Sequence, residues 1–323
     1  MKVLLAADSI ITLDMLLNEV SARSWPTGTE ARVLSVVEDA DVPEDVWREM
    51  GYGTDALRHE MRRRGEQITT LATIRLGELG IASQVIIMRG DPASLITLDA
   101  WKWPADLILI RANNRTGFRN WLLGSVAKSV LATATCSVDV VRPDENQTLT
   151  AKRPTKILLA TDGSKSSIEA ARVVAQASWP AETEVKVVSV VNPPMAVLEK
   201  IGLSLGGRRD RAHRAIGEVV QILKETPVAI TAAVINGRPA QTIIDEAKTW
   251  GATLIVIGKR QQRGLFSRSV SETVANRAHC SVKIVRRHSS DNGQSLAPDR
   301  KPSIQRRGNV YALSAKRQSK RAA

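Results

Sequence analysis

Two cysteines among 323 residues cannot build a disulfide framework, and a reducing compartment suits such a chain. No stretch reaches the ~18 uncharged apolar residues that a membrane-spanning helix requires. The opening MKVLLAADSIITLDMLL is apolar, but Asp8 interrupts it before a secretory core could form. A cytoplasmic location is therefore expected. The spacings H-x3-H, C-x2-C and H-E-x2-H are all missing, so no resident metal site is expected. Neither G-x4-G-K-[ST] nor a G-x-S-x-G elbow is present. No constellation supports an enzyme beyond slow ATP turnover. The seven Trp are scattered and form no stacking ladder for single-stranded nucleic acid.

Basic residues are plentiful: 46 Lys and Arg against 33 Asp and Glu give a net charge of +13. That charge is unevenly placed. Residues 1–143 sum to −2, residues 144–153 to 0, residues 154–287 to +9 and residues 288–323 to +6. Any acidic partner is therefore expected at the second half or the tail.

The chain also contains an internal repeat. VLLAADS at 3–9 matches ILLATDGS at 157–164, RSWP at 23–26 matches ASWP at 177–180, and LSVV at 34–37 matches VSVV at 188–191. GDPA at 90–93 matches GRPA at 237–240, and ADLILIR at 105–111 matches ATLIVIG at 252–258. CSVDVVR at 136–142 matches CSVKIVR at 280–286. The offset falls from 154 to 147 and then to 144, so the second copy is shortened twice.

Within each copy, short apolar runs such as VLLAA, SQVIIM and DLILI alternate with helix-length amphipathic segments. Strands that are apolar on both faces and separated by helices indicate a doubly wound parallel α/β sheet. Five strands and four helices per copy are expected. Residues 1–143 and 154–287 read as the two modules, 144–153 as a polar linker, and 288–323 as a basic, aperiodic and disordered tail.

ILLATDGS at 157–164 and LLGSVAKSVLATATCSVDVV at 122–141 resemble the opening and closing phrases of the universal stress protein family. The resemblance implies two tandem Rossmann-like five-stranded modules of the adenine nucleotide alpha hydrolase-like fold. It also implies an adenine-nucleotide site: an Asp after strand one, a strand-two backbone against the base, and a G-x2-G-x9-G-[ST] loop for ribose and phosphates. Ligands of open α/β sheets bind outside the carboxyl ends of strands, and a helix N-terminus adds unpaired N–H groups there.

Carried over residue by residue, the second copy supplies Asp162, Val190 and the first glycine, Gly258. Gln261 and Arg268 replace the other two glycines, and the loop is three residues short. Lys259, Arg260, Arg263 and Arg268 put four cations there, followed by Ser269, Val270 and Ser271. The first copy supplies Asp8, Val36, Gly124 and Ser125, while Arg111 and Asn114 stand at its first two glycines. Each copy keeps a different fragment of the pattern.

The resemblance thus implies a stress-response protein that binds ATP or AMP weakly, with magnesium only as the nucleotide's companion, or that acts through protein contacts. A second reading is nucleic-acid or anion binding by the basic module and tail. An α-hydrolase enzyme would need an S-G-G-x-D-S loop, which DSII and DGSKSS do not supply.

Structural roles compete at several of these positions. Asp8 and Asp162 also suit capping of the first turn, Ser269-x-x-Glu272 suits a capping box, and Cys136 and Cys280 suit buried packing. His59 and His213 read as exposed helix positions, and Trp25 and Trp179 as packing under a turn. Members of the family pair through their last strands, and here Asp139 and Lys283 occupy equivalent places in those strands with opposite charges. The two copies are therefore expected to associate with each other as an intramolecular pseudo-dimer.

Overall fold

A computed structural model describes residues 1–38, 54–112, 123–143, 155–192, 206–259, 269–286 and 311–313. In the first module the strands are β1 (Lys2–Ala6), β2 (Glu30–Val37), β3 (Ala82–Arg89), β4 (Leu107–Arg111) and β5 (Ser137–Val141). Its helices are α1 (Ile10–Ser21), α2 (Thr54–Glu78), α3 (Pro92–Lys102) and α4 (Ser125–Thr133). The second module repeats the order with strands β6 (Lys156–Ala160), β7 (Glu184–Val191), β8 (Ala229–Asn236), β9 (Leu254–Gly258) and β10 (Ser281–Val285). Its helices are α5 (Lys165–Gln176), α6 (Gly206–Leu223), α7 (Pro239–Trp250) and α8 (Val270–Arg277). The expected linker lies outside the described residues. Of the tail, only β11 (Tyr311–Leu313) is described; it runs antiparallel to β3.

All these strands form one sheet in the order β11-β3-β2-β1-β4-β5-β10-β9-β6-β7-β8. Each module is parallel internally, and the two meet where β5 and β10 pair antiparallel. In that seam Val140 faces Val282, Asp139 faces Lys283 and Val138 faces Ile284. The closing strands therefore pair copy to copy.

Strand alternation explains how the seam is buried. Val138, Val140, Val282 and Ile284 point to one face, where they join a single apolar core running through both modules. Helices α3 and α4 cover it on one side, and α7 and α8 continue the cover across the seam. On the opposite face each module has its own core, under α1 and α2 in the first and under α5 and α6 in the second. Asp139 and Lys283 lie between these two cores, 1% and 8% exposed.

Two cations meet the Asp139 carboxylate. Lys283 Nζ is 3.4 Å from Oδ2, and Arg23, just after α1, donates to the same oxygen. Arg23 also bonds Glu19. Burial works against the charge on Arg23, but Glu19 and Asp139 together hold its pKa above the ordinary value. Burial pulls the Lys283 ammonium below its ordinary range, and Asp139 opposes that pull. At the repeat-equivalent place Arg23 becomes Ala177, so the cluster is not symmetric.

Reciprocal arginine contacts complete the seam. Arg142 N–H donates to Ser281 Oγ (3.1 Å), and Arg286 N–H donates to Ser137 Oγ (3.2 Å). The Arg142 side chain donates to the Cys280 carbonyl (3.1 Å) and to Ala275 near the end of α8. The Arg286 side chain donates to the Leu131 carbonyl (2.6 Å) near the end of α4. Each arginine thus neutralises the exposed carbonyls of the other module's helix C-terminus. Ser24 and Ser178, themselves repeat-equivalent, form an antiparallel bridge nearby. These paired contacts have the isologous form of a two-fold interface.

Trp25 and Trp179 donate Nε1–H to the Val20 and Val174 carbonyls at 2.8 Å, tying each helix end to the loop that follows it. Trp103 and Trp250 are a second repeat pair. Arg32 lies 4.4 Å from the Trp103 ring, and Lys156 and Lys186 lie 5.3 and 5.7 Å from the Trp250 ring. Among the described residues, no helix is long and apolar enough to cross a membrane.

Removing the shared carboxylate leaves Lys283 without its partner and Arg23 with Glu19 alone. Urea unfolding of Asp139→Asn is expected to show a loss of about 3–5 kcal/mol. Lys283→Met keeps the Arg23–Asp139 pair and is expected to be neutral or stabilising. Equal losses in both variants would contradict this account of the seam.

Candidate functional site

Strand order reverses between β1 and β4 in the first module and between β6 and β9 in the second. The carboxyl ends of these strands are where ligands of open α/β sheets are held. In the second module a cavity of about 580 Å3 opens there. Asp162, Gly163 and Ser164 line it from the turn after β6. Ser189, Val190, Val191 and Asn192 line it from the end of β7, and Arg208, Arg211 and Ala212 from the first turns of α6. The structure therefore brings Asp162 and Val190 together at one cavity.

The turn is set by local chemistry. Asp162 Oδ1 accepts from Ser164 N at 3.0 Å, and Ser164 caps α5 by accepting from Ser167 N at 3.3 Å. Gly163 adopts φ +74°, which L side chains rarely adopt, and a Cβ there would come within 3.1 Å of Ala215 Cβ on α6. Glycine thus lets α6 close over the turn.

The first module makes the turn differently. Its N-cap is Ser9, directly after Asp8, so no counterpart of Gly163 exists and the copies differ by one residue there. Asp8 Oδ1 accepts from Thr12 Oγ1 at 2.5 Å and from Ser9 Oγ at 3.1 Å. That carboxylate is engaged in its own helix start. Val36 is 9% exposed near the end of β2. Gly124 is the N-cap of α4 and Ser125 its first residue.

Among the described residues, Gly258 and Lys259 of the glycine loop do not line the cavity. A Cβ on Gly258 would come within 2.2 Å of Ser166 O and 2.7 Å of Ser167 N, so this glycine lets the first turn of α5 pack against the end of β9. Lys259 is turned away from phosphate service. Its Nζ donates to the Leu131 carbonyl of the first module and lies 2.9 Å from Glu272 Oε1. Burial, helped by Arg286, lowers its pKa, and Glu272 opposes this. Arg260, Arg263 and Arg268 lie outside the described residues, as does Asn114. Arg111 ends β4.

Ser269 is the N-cap of α8 but makes no side-chain capping bond. Its hydroxyl pairs instead with Ser271 Oγ at 2.7 Å, and Glu272 is occupied by Lys259. The expected capping box is therefore not formed. Val270 is 38% exposed, whereas Ser269 and Ser271 are buried. Burial pushes the Cys136 and Cys280 thiols up to about 12, which fits packing residues rather than nucleophiles. His213 is exposed on α6, and the His59 side chain lies outside the described residues. Among the described residues, no group of three or more His, Cys, Asp or Glu could hold a metal ion.

Arg208 and Arg211 are the cavity residues that sequence reading missed. They sit in the run GGRRDRAHR, which resembles any exposed basic helix face until packing shows which side it presents. Arg142 and Arg286 were likewise visible only as the last residue of a repeated phrase.

Comparisons with known proteins agree with this architecture. The sequence pattern of the universal stress protein family matches residues 1–142 and 154–286. Universal stress protein MJ0531 of Methanocaldococcus jannaschii is 31% identical over 143 residues, covering 41% of this chain and 82% of that protein. Universal stress protein Rv2623 of Mycobacterium tuberculosis is 24% identical over 225 residues, covering 68% of this chain and 73% of that protein. A universal stress protein crystal structure from Archaeoglobus fulgidus matches with a TM-score of 0.61 at 21% identity, covering 88% of this chain and 96% of that one.

Gly258→Ala tests the packing role of the retained glycine. The added methyl would overlap the α5 backbone, and a stability loss of about 1–3 kcal/mol is expected in thermal or urea unfolding. A variant as stable as the parent would show that α5 does not seat on β9 as described.

Proposed function

Because the chain belongs to the universal stress protein family, we propose that its second module binds an adenine nucleotide weakly in the cavity beside Asp162. The first module then serves as its fixed partner. One observation carries this reading: Asp162 and Val190, the positions the family resemblance assigns to the base, line a single cavity at the strand ends. A volume of about 580 Å3 suits a small-molecule ligand. The exposed Asp162 carboxylate can accept from an exocyclic amine, and the backbone ends of β7 can meet a base edge.

Binding rather than turnover is the role that follows. Among the described residues, the cavity lining contains one carboxylate and no His, Cys or Lys. Those residues supply no His or Cys to act as base or nucleophile and no metal cluster. In the first module the Asp8 carboxylate accepts from the Thr12 and Ser9 hydroxyls, whereas Asp162 lines the cavity, so the nucleotide is assigned to the second module. The protein would act in a cytoplasmic stress response as a nucleotide-responsive binding unit, with ATP, ADP or AMP as its ligand and any magnesium arriving with it.

Calorimetry of the full chain with ATP, ADP and AMP tests this directly. Binding is expected in the micromolar to millimolar range. Asp162→Ala is expected to weaken it roughly tenfold, the effect of losing one hydrogen bond to a charged group. Asp8→Ala is expected to leave it unchanged. Absence of binding by all three nucleotides at millimolar concentration would contradict the proposal.

A further inference from the structure

The cavity's charge comes from an unexpected element. Arg208 and Arg211 stand three residues apart on α6, so they share one helix face, and both line the cavity. Asp162 is the carboxylate among the described lining residues, so these carry an excess positive charge. The retained glycine of the loop after β9 is meanwhile pressed against Ser166, and Lys259 is bonded to Leu131 and Glu272.

We infer that Arg208 and Arg211 read the phosphate of the ligand, so that this module binds an adenine nucleotide in preference to the bare nucleoside. The inference rests on the nucleotide reading given above. Guanidinium groups suit this task because they stay charged and present paired N–H donors to phosphate oxygens. Arg208 is free to turn inward, since its long 3.4 Å contact to the Asn192 carbonyl is exposed. In the first module the buried row Ile68, Ala72 and Leu76 matches Ala215, Val219 and Leu223 at an offset of 147, which puts Met61 and Arg64 at the positions of Arg208 and Arg211. The arginine pair therefore occurs once per chain, and one binding site per chain is expected.

Calorimetry of the full chain with adenosine, AMP and ATP, beside the double variant Arg208→Gln/Arg211→Gln, tests the inference. Both arginines are exposed, so the variant is expected to melt with the parent. Arg209→Gln, also exposed but absent from the cavity lining, is the control. The parent is expected to bind AMP and ATP roughly tenfold or more tighter than adenosine, with one molecule per chain. The double variant is expected to lose the preference for AMP while holding adenosine as before.

Equal binding of AMP and adenosine by the parent overturns the inference and leaves the nucleotide reading standing. So does a double variant that keeps the AMP preference. If neither adenosine nor AMP binds, the nucleotide reading itself fails. Inorganic phosphate then decides the arginine pair alone: a rise in melting temperature that the double variant lacks supports an anion site, and no rise overturns it.

Discussion

The shared Asp139 carboxylate organises the rest of the molecule. It lies almost fully buried between the cores of two modules, and it is held by a cation from each of them. A buried charge is tolerable only when paired and hydrogen-bonded. That requirement selects the arrangement. Two copies of the first module would face two carboxylates across the seam, and two copies of the second would face two lysines. One of each brings opposite charges into register. The apolar face of the same strands supplies most of the burial, because Val138, Val140, Val282 and Ile284 join one core shared by both modules.

Duplication followed by fusion explains how such asymmetry is maintained. The arginine clamps, the Ser24–Ser178 bridge and the tryptophan–cation packing keep the two-fold pattern. Other positions have separated. Arg23 has Ala177 as its counterpart, Gly258 has Arg111, and Arg208 has Met61. The first module gives its polar residues to the seam. In the second, a glycine at φ +74° lets α6 close on the β6 turn and bring arginines to the cavity. Lys259 joins the two roles, since it follows the strand that ends beside α5 but is anchored on a carbonyl of the other module.

Much of this was legible in the residues. The repeated phrases located the strands, the alternation of apolar runs with amphipathic segments gave the parallel modules, and Asp139 with Lys283 pointed to the seam. Asp162 and Val190 were also readable, because they sit inside matched phrases at strand ends. What escaped depends on distance in three dimensions. The one-residue difference at Gly163 is hidden because a compensating change follows α5, so the flanking phrases keep one offset. Gly258 reads as a phosphate glycine until the Ser166 carbonyl is found against it. Ser269 and Glu272 have the spacing of a capping box, but Ser271 and Lys259 compete for them more closely. The uneven charge of +13 likewise gains meaning only where individual cations are seen to face a carboxylate, a carbonyl or an open cavity.

Hydrogen exchange across the seam of the intact chain tests the central claim most directly. If the modules form one cooperative unit joined through β5 and β10, the ladder amides of both strands should exchange as slowly as those of β1 and β6, through global opening. Fast exchange in β5 and β10, with both module cores still protected, would show two modules that merely share a chain and would contradict the account.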